Sequence, residues 1–507
     1  MTFVLRAIDR ALSSKQSVLV FMLAFVAVLS CMPPSTVLTG NEEAYFAMAL
    51  QWWAPDQLPD PSVVRGGMVH LFAYKTLAGW LVATVGFEAA QVISAFAVAA
   101  LYAFSLMQLA RVLGLDVAQV AVVLLAFVGL GATSIGDELL FDGFEAKHLA
   151  YCCVISGAAA YLDRRWLVAG VWLAGATLFH FLVGGFWGGV IAFHAIAVHR
   201  RLADATRLWP WFVVTVGFAA WLFAAAYGDF VSGAEVETDR PLSWIMSVYR
   251  APINTMPFLS VWSFLEWAPG IVLVVALTIL SAVLGYRSEG RIRTLWQIVL
   301  LTHLWLLLAL ALSLFDEEGK LGIYFPFRPS SLGLLLAIFA LATRLYAVST
   351  LGTAKLRIWL VFLLGAMVLP QHAISKALYV SEGFDKRDAK QALYEFVRGS
   401  TASTDVFVIE PESELALLDF ERGTSRSVLV MFKYLPSDAA DIQTWYRTLT
   451  ALDRLVAEGC PSPVNSDFLV TGVPVSKRLA ETCGPIVYSD TKFAVIRLTE
   501  PQDAPGT

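Results

Sequence analysis

The sequence predicts a polytopic α-helical membrane protein with a small α/β domain at its C-terminal end. Of the 507 residues, 58% are hydrophobic and only 15% are charged, whereas about a quarter of the residues in a soluble protein are charged. The apolar residues come in runs of about 16–22 separated by short charged loops, as in helices that cross a bilayer. The composition becomes polar from Ser375 onward. We therefore expect a membrane domain over residues 1–375 and a soluble domain over residues 376–507.

We predict that the membrane domain contains about eleven spans joined by short loops. Basic residues precede the first span and no small-residue cleavage site follows it, so we interpret it as a retained signal anchor. The segment Met68–Gly86 is also apolar, but it contains His70 and Lys75. We expect it to form an amphipathic helix at the outer interface, with the Lys75 amine reaching water. The predicted spans are Ser17–Met32, Glu88–Ala110, Val117–Ile135, Lys147–Leu162, Trp166–Phe181, Val183–Ala197, Leu208–Tyr227, Ala268–Tyr286, Trp296–Leu314, Ser331–Val348 and Leu356–Leu369.

Two of these spans, Trp166–Phe181 and Val183–Ala197, are short, and the glycine-rich run Gly184–Gly189 lies near their junction. A pair of full crossings and a re-entrant pair are both compatible with this pattern. Either choice leaves the orientation of all later spans unchanged.

The charges of the loops predict the orientation of the spans. With the N-terminus in the cytoplasm, the basic clusters at Arg164–Arg165, Arg200–Arg207 and Arg287–Arg293 all lie inside, as the positive-inside rule requires. The same count places the acidic loops with Glu42–Glu43 and Asp137–Glu145 outside. An odd number of spans then places the C-terminal domain outside as well.

Strands that alternate with helices in the C-terminal part predict a small layered α/β domain. The predicted helices are Asp385–Arg398, Glu412–Glu421 and Asp438–Ala457, and the predicted strands are Val406–Glu410, Ser427–Lys433, Phe468–Thr471, Ile486–Ser489 and Phe493–Leu498. Cys460 and Cys483 both lie in this exported part, where an oxidising compartment permits a disulfide. Because the sequence does not give the distance between them, their pairing stays open.

The sequence excludes several classes of function. No C-x-x-C, H-E-x-x-H or clustered His/Cys spacing indicates a transition metal, and no glycine-rich phosphate loop precedes a helix. No basic patch with interleaved aromatic residues indicates a nucleic acid partner. No motif therefore requires a cofactor, although the acidic outer loops are compatible with a divalent cation.

The first outer loop carries two adjacent carboxylates, Glu42 and Glu43, followed by aromatic residues. A carboxylate at the membrane surface is the kind of group that takes a proton from an incoming hydroxyl. The pair also fits the acidic first turn of a helix, which the helix dipole favours. Both interpretations stay open for this loop taken alone.

The second outer loop runs into a predicted helix through Asp142, Glu145, Lys147 and His148. Ionisable groups at membrane depth are costly and are usually functional. The alternative is a Glu145–Lys147 pair or an Asp–His pair that only neutralises itself. We treat Lys147 and His148 as candidate site residues, with Glu145 and Asp142 in support.

The third outer loop places Arg328 at the outer end of a helix, where two nearby prolines restrict the backbone. Because most multi-charge loops on this face are acidic, the arginine needs an anionic partner. A loop carboxylate such as Glu317 and a phosphate are the two candidates. His180 we interpret as a hydrogen-bonded interior residue, with a role in the site as the alternative.

Taken together, the three loops supply the groups that a hydroxyl needs to attack an activated sugar. A carboxylate takes the proton of the acceptor. Cations stabilise the departing phosphate, which gathers negative charge in the transition state. A lipid-linked donor would explain why such a site lies at a membrane surface.

This layout resembles the GT-C class of integral-membrane glycosyltransferases. The matching features are the acidic first loop with Glu42 and Glu43, the interfacial segment Met68–Gly86, the charged loop Glu145–His148 and the exported C-terminal domain. Traces of an uncharacterised bacterial branch are Phe141, Glu145–Tyr151, Phe325–Arg328 and, in the C-terminal domain, Phe420, Arg422, Arg426, Lys433, Pro436, Trp445 and Arg447.

The resemblance implies an inverting transferase that uses a polyprenyl-phosphate-type sugar donor. Glu42 or Glu43 would then be the catalytic base, and Lys147, His148 and Arg328 would hold the donor phosphate. Many members have an aspartate in the first loop, so the resemblance does not choose between the two glutamates. The acceptor would be a glycan, a lipid or a protein, and the protein would lie in the bacterial inner membrane with a periplasmic C-terminal domain.

Two other classes of function are compatible with the sequence. A flippase or other transporter of lipid-linked oligosaccharides would place charged groups near mid-membrane and often shows inverted repeats. We find no clear repeat, and the charges lie at the outer rim, which favours the enzyme. A non-catalytic scaffold would bind partners through its exported domain.

Overall fold

The computed structural model describes residues 14–32, 34–36, 38, 40–59, 71–131, 133–141, 143–198, 200, 202–231, 240–348, 354–414, 416–436, 439–460 and 466–498, and most of them are helical. The chain divides into two compact units. The first unit comprises Met1–Pro34, Ile93–Phe223 and Ser243–Ala377, and the second comprises Ser35–Val92, Ala224–Leu242 and Leu378–Thr507.

The helices up to residue 400 account for most of the chain. In order they are α1 (Lys15–Cys31), α2 (Gly40–Trp53), α3 (Phe72–Val85), α4 (Phe87–Leu113), α5 (Val117–Gly129), α6 (Ala146–Leu162), α7 (Trp166–Phe179), α8 (Phe181–Phe193), α9 (Trp209–Val231), α10 (Val261–Tyr286), α11 (Gly290–Ser313), α12 (Ser330–Val348) and α13 (Ala354–Ser400). Short turns of helix at Leu202–Ala205, Leu242–Trp244 and Pro252–Thr255 lie between them.

The structure confirms the polytopic helical fold class, because every predicted span overlaps a helix, although α5 ends at Gly129, before the predicted end at Ile135. Within the described residues, the helices long and apolar enough to cross a bilayer are Phe87–Leu113, Phe181–Val198, Leu202–Ala224, Val261–Tyr286, Gly290–Ser313 and Leu360–Leu378. Shorter apolar helices are Lys15–Cys31, Val117–Gly129, Trp166–Phe179 and Ser330–Arg344. The count of about eleven crossings, and their orientation, remain predictions.

A buried aromatic cluster in the first unit joins α10 and α11 to the loop that precedes α12. Trp267 of α10 and Phe327 of this loop meet edge to face with ring centroids 4.9 Å apart. Leu306 and Leu310 of α11 and Ile135 complete the contact. Phe327 is fully buried, so this cluster holds the residue that immediately precedes Arg328.

The glycine-rich run Gly184–Gly189 lies inside α8 and serves close packing. A side chain at Gly184 would overlap the backbone of Thr177 in α7, and one at Gly188 would overlap the indole of Trp211 in α9. The same indole donates a hydrogen bond from Nε1 to the Gly184 carbonyl oxygen, 3.1 Å away. The junction between α7 and α8 lies at His180, before the run begins.

In the second unit, α2 and α3 pack closely as a helical pair, because a side chain at Gly79 of α3 would overlap the backbone of Ala49 in α2. The predicted interfacial helix corresponds to α3, and Met68–His70 lie outside the described residues. The expectation that Lys75 reaches water is wrong, since only 5% of the residue is exposed. Its Nζ lies 4.9 Å from the Trp52 ring centroid, and burial lowers its pKa to about 8.

The C-terminal part of the second unit forms the predicted α/β region, a mixed sheet flanked by helices. The strands are β1 (Val406–Ile409), β2 (Ser427–Val428), β3 (Phe468–Gly472), β4 (Ile486–Ser489) and β5 (Phe493–Arg497), in the order β2-β1-β3-β5-β4. β1 is parallel to β2 and β3, and β5 is antiparallel to β3 and β4. The helices are α14 (Pro411–Glu414), α15 (Phe420–Thr424), α16 (Ala439–Glu458) and α17 (Lys477–Thr482). The boundary predicted near residue 375 stays a prediction, since the second unit also contains Ser35–Val92 and Ala224–Leu242.

Cys460 and Cys483 form a disulfide in this region, with Cα atoms 4.8 Å apart. The bond joins the segment that follows α16 to the residue that ends α17. The pairing that the sequence left open is thus present. Cys31, Cys152 and Cys153 are buried free thiols, as expected for small packing residues.

Candidate functional site

The predicted site residues fall into two groups, one in each unit. Glu145, Lys147, His148 and Arg328 belong to the first unit, and Glu42 and Glu43 belong to the second. Asp142 lies outside the described residues. These assignments as site residues remain predictions.

Glu138 is the centre of the group in the first unit. Its carboxylate lies 3.7 Å from Lys147 Nζ, 3.9 Å from Arg328 Nε and 3.3 Å from the Tyr151 hydroxyl oxygen. Glu145 lies 3.4 Å from the Lys147 amine on the other side. The structure therefore brings Lys147 and Arg328 to the same carboxylate.

The loop before α12 is held firmly, and this fixes the position of Arg328. Trp305 Nε1 donates a hydrogen bond to the Pro326 carbonyl oxygen at 2.9 Å, and the Tyr151 hydroxyl donates to the carbonyl oxygen of Arg328 itself at 3.0 Å. Phe325 adopts the left-handed conformation, with φ of 48°. A non-glycine residue rarely adopts this conformation unless its surroundings impose it.

Arg328 has incomplete hydrogen bonding for a guanidinium in this setting. Its Nη1 lies 2.5 Å from His180 Nε2, while its Nε is buried and has no hydrogen-bond partner within the described part of the chain. The Glu138 carboxylate, at 3.9 Å, is too far for a hydrogen bond. The nearby carboxylate is therefore Glu138 and not Glu317, which is exposed. His180, interpreted as an interior residue, contacts the arginine.

Lys147 and His148 differ in how accessible they are. The Lys147 side chain is 15% exposed and lies between two carboxylates, so the pair with Glu145 that the sequence offered as an alternative is present. His148 is fully buried. Its Nδ1 lies 3.4 Å from the Glu145 backbone nitrogen and its Nε2 lies 3.4 Å from the Leu139 carbonyl oxygen. Both ring nitrogens thus face the backbone of the loop.

An aromatic cavity of about 290 Å³ lies beside Arg328. Most of its lining is apolar, and Arg328 and Tyr151 are among the few residues that bring polar groups to it. The lining residues from α8, α11 and the loop before α12 include Phe181, Phe186, Trp187, Trp305, Phe325 and Pro326. The cavity therefore combines an apolar space with one guanidinium.

In the second unit, Glu42 and Glu43 lie in the first turn of α2, as one interpretation predicted, and both are buried. Glu42 is fully buried and accepts a hydrogen bond from Gln91 Nε2 at 2.9 Å. Glu43 accepts two hydrogen bonds from Arg422, one from Nε and one from Nη2, each at 2.9 Å. The guanidinium also stacks on Phe87, 4.6 Å from its ring centroid.

Asp419 extends the Glu43–Arg422 pair into a network. It accepts hydrogen bonds from the Lys390 amine at 2.6 Å and the Tyr394 hydroxyl at 2.7 Å, and Arg422 Nη2 lies 3.5 Å away. Burial raises the pKa of Glu43 above its ordinary value, while the charge and hydrogen bonds of Arg422 act in the opposite direction. The carboxylate therefore holds a proton more readily than an exposed glutamate does.

A second cavity, of about 200 Å³, lies beside this network and is lined largely by polar side chains. Glu43 lines it, together with Arg422, Asp419, Lys390 and Tyr394, whereas Glu42 does not. Of the two adjacent glutamates, Glu43 is therefore the one that a ligand in this cavity would contact.

The sequence did not single out several residues of these two groups. Glu138 was one acid among several in its loop, and Asp419, Lys390 and Tyr394 carried no motif. Arg422 appeared only in the trace of similarity from Phe420 onward. Among the described residues, no group of three or more His, Cys, Asp or Glu side chains is arranged to hold a metal ion.

Comparison with known proteins adds a match to part of the chain. A family model described as a domain of unknown function (DUF6798) matches residues 388–452, which include Lys390, Tyr394, Asp419 and Arg422. No curated protein matches the chain. Among solved structures, ArnT from Cupriavidus metallidurans in the apo state is similar over 96% of this chain and 99% of that chain, with 16% identity and a TM-score of 0.47.

Proposed function

We propose that this protein is a membrane glycosyltransferase of the GT-C type that moves a sugar from a polyprenyl-phosphate-type donor to an acceptor. The observation that carries the proposal is Arg328, whose buried Nε has no hydrogen-bond partner among the described residues, beside an aromatic cavity. A lipid phosphate has the matching chemistry, because its anionic group pairs with a guanidinium and its first prenyl units fit an apolar space.

In this proposal the residues around Glu138 bind the donor phosphate. Arg328 donates hydrogen bonds to the phosphate oxygens, and Lys147 supplies a second positive charge as the phosphate departs. His148 faces the backbone with both ring nitrogens, so we assign it to holding the loop rather than to the phosphate. Glu145 and Glu138 keep the Lys147 amine in place before the donor binds.

Glu43 is the catalytic base in this proposal. The acceptor oxygen bonds to the anomeric carbon, the bond from that carbon to the phosphate oxygen breaks, and the acceptor proton passes to the Glu43 carboxylate. Polyprenyl phosphate leaves, with inversion as the resemblance implies. Each carboxylate oxygen has a lone pair beyond the one that accepts from Arg422, so the pair with Arg422 leaves room for the acceptor hydroxyl.

The proposed location is the periplasmic face of a bacterial inner membrane, in assembly of the cell envelope or of an exopolysaccharide. The disulfide between Cys460 and Cys483 supports this location, since such bonds persist in oxidising compartments. The loop charges support it independently.

The donor site can be tested by binding alone. Purified protein in lipid nanodiscs is titrated with radiolabelled polyprenyl phosphate and with the corresponding polyprenol, which lacks the phosphate. We expect the wild type to prefer the phosphate and Arg328→Met to lose about tenfold or more of that preference. Arg287→Gln, which removes an exposed arginine in the same unit, is the matched control.

Equal binding of phosphate and alcohol by the wild type would contradict the donor site. Selective binding of the phosphate without transfer to any acceptor, but with movement of the lipid across a vesicle membrane, would favour the transporter instead.

A further inference from the structure

The cavity beside Glu43 has polar groups that the proposed transfer does not use. Along α13, the cavity-lining residues Arg387, Gln391, Tyr394 and Arg398 follow one another at intervals of three or four residues, so they share one face of the helix. This face places two arginines, an amide and a hydroxyl on the same small space. Such a set of groups recognises a polar ligand.

The charges around this cavity are not all neutralised within the protein. Lys390 and Arg422 pair with Asp419 and Glu43. The guanidinium of Arg398 donates one hydrogen bond, from Nη1 to the Gly423 carbonyl oxygen at 2.7 Å, and no carboxylate of the described residues lies within ion-pair distance of it. Most of its donors therefore remain available.

Arg387 is the second arginine of this kind. Among the described residues it forms an ion pair with the neighbouring Asp388, at 3.6 Å, with side chains 45% and 77% exposed, and such an exposed pair contributes little. Glu88 is a further exposed carboxylate on the lining. Outside the Glu43–Asp419 network, the lining therefore carries two arginines, Arg387 and Arg398, and one carboxylate, Glu88. This part of the cavity has a net positive charge, which favours an anionic ligand.

We infer that this cavity binds a single sugar unit that carries a carboxylate or a phosphate, with Arg387 and Arg398 on the anionic group. The hydroxyls of the sugar would meet Glu43, Asp419 and Gln391, which are the acceptors and donors that remain. A volume of about 200 Å³ is below that of pockets for drug-sized ligands, so it suits one ring. That this sugar is the acceptor of the transfer rests on the proposed function.

The inference is tested by equilibrium binding to the full-length protein in nanodiscs, with no lipid donor present. The probes are glucuronate, glucose 6-phosphate, glucose and inorganic phosphate. We expect the two anionic sugars to bind and glucose to bind at least about tenfold more weakly. The substitution Arg398→Gln should weaken the binding of glucuronate by about tenfold. Arg398→Lys keeps the charge and should retain much of the binding, and the exposed Arg447→Gln is the matched control.

Equal affinity for glucose and glucuronate would overturn the assignment of the anionic group. Tight binding of inorganic phosphate that neither anionic sugar displaces would overturn the assignment of a sugar, and so would the absence of binding by all four probes. The two proposals fail separately. If transfer depends on Glu43 but neither anionic sugar binds, only this inference is contradicted. If the anionic sugars bind but the protein has no transfer activity, only the proposed function is contradicted.

Discussion

Arg422 forms a two-pronged ion pair with Glu43, in which Nε and Nη2 each donate to one carboxylate oxygen at 2.9 Å. The Glu43 side chain is 7% exposed and that of Arg422 is 31% exposed, so the pair is shielded from water on the glutamate side. A fork-to-fork geometry of this kind orients a carboxylate as well as neutralising it. The orientation of the proposed base therefore depends on a residue of the C-terminal region.

Replacement of Glu43 tests the assignment of the base. We expect Glu43→Gln to lower the rate of sugar transfer by about a hundredfold or more, because the amide cannot take the acceptor proton. Binding of polyprenyl phosphate should stay unchanged. Glu42→Gln should have a smaller effect, since Glu42 does not line the cavity.

The exposed Glu412→Gln, also in the second unit, is the control for loss of a carboxylate. Transfer rates are compared at equal amounts of folded protein, together with the surface glycan of cells that carry each variant. Full activity in the double variant of Glu42 and Glu43 would rule out this pair as the source of the base.

Arg422 should control the pH dependence of transfer. Glu43 acts only as a carboxylate, and burial raises its pKa, so activity should fall, as pH is lowered, at a higher pH than an ordinary glutamate would give. Arg422→Met removes a positive charge that lowers this pKa. The acid limb of the rate profile should then move to still higher pH.

Arg422→Lys retains the charge and should shift the acid limb less than Arg422→Met does. The profile is measured as transfer rate at saturating donor, with Arg447→Gln as the control arginine. An acid limb that stays in place in Arg422→Met, or moves to lower pH, would show that Glu43 does not set it.

The disulfide should stabilise the C-terminal sheet. Cys460 and Cys483 are 23 residues apart, and closing a loop of this size stabilises a fold by about 3 kcal/mol in the chain-entropy model. We expect the double serine variant to show faster amide hydrogen exchange in β3 and β5 by mass spectrometry. Cys31→Ala, which removes a buried free thiol, should leave exchange in the sheet unchanged.

Alkylation of native membranes provides a second readout of the disulfide. Neither Cys460 nor Cys483 should react with a thiol reagent until a reductant is added. Reaction of both before reduction would contradict the pairing and remove one support for a periplasmic location.

The glycines of α8 should differ sharply in their tolerance of alanine. At Gly184 an added methyl group would overlap the Thr177 backbone, which cannot rotate away, whereas nothing lies within 4 Å of a methyl group at Gly185. Overpacking of this kind costs about 1–3 kcal/mol. Gly184→Ala should therefore lower the melting temperature in detergent, and Gly185→Ala should not. Equal melting temperatures would show that α7 and α8 do not pack this closely.

Much of the helical fold was predictable, because a membrane helix must be apolar over its whole length and the sequence records this directly. Strand boundaries were not predictable where a buried side chain, rather than a neighbouring strand, accepts the hydrogen bonds of the backbone. The segment Ser427–Lys433 reads as a strand, yet only Ser427 and Val428 pair in the sheet. The amides of Phe432 and Lys433 instead donate to the buried Glu414 carboxylate at 2.7 and 2.9 Å.

The site was predictable only where its members are close in sequence. Glu145 and Lys147 are two residues apart, and their pairing was one of the stated alternatives. Arg328 is a basic residue on the predicted outer face, where most charged loops are acidic, so its need for an anionic partner could be predicted. The sequence could not show that Glu138 would lie near it. No periodicity links Glu43 to Arg422, because their contact depends on the packing of distant parts of the chain.

The separation of Glu43 and Arg422 along the chain has a consequence for biosynthesis. The ribosome makes the arginine 379 residues after the glutamate, so every nascent chain passes through a stage in which this carboxylate lacks its counter-charge. A premature stop codon before position 422 leaves the product in that condition permanently. A product that ends between residues 401 and 421 would thus retain every helix up to Ser400 and still lack the guanidinium that orients the proposed base.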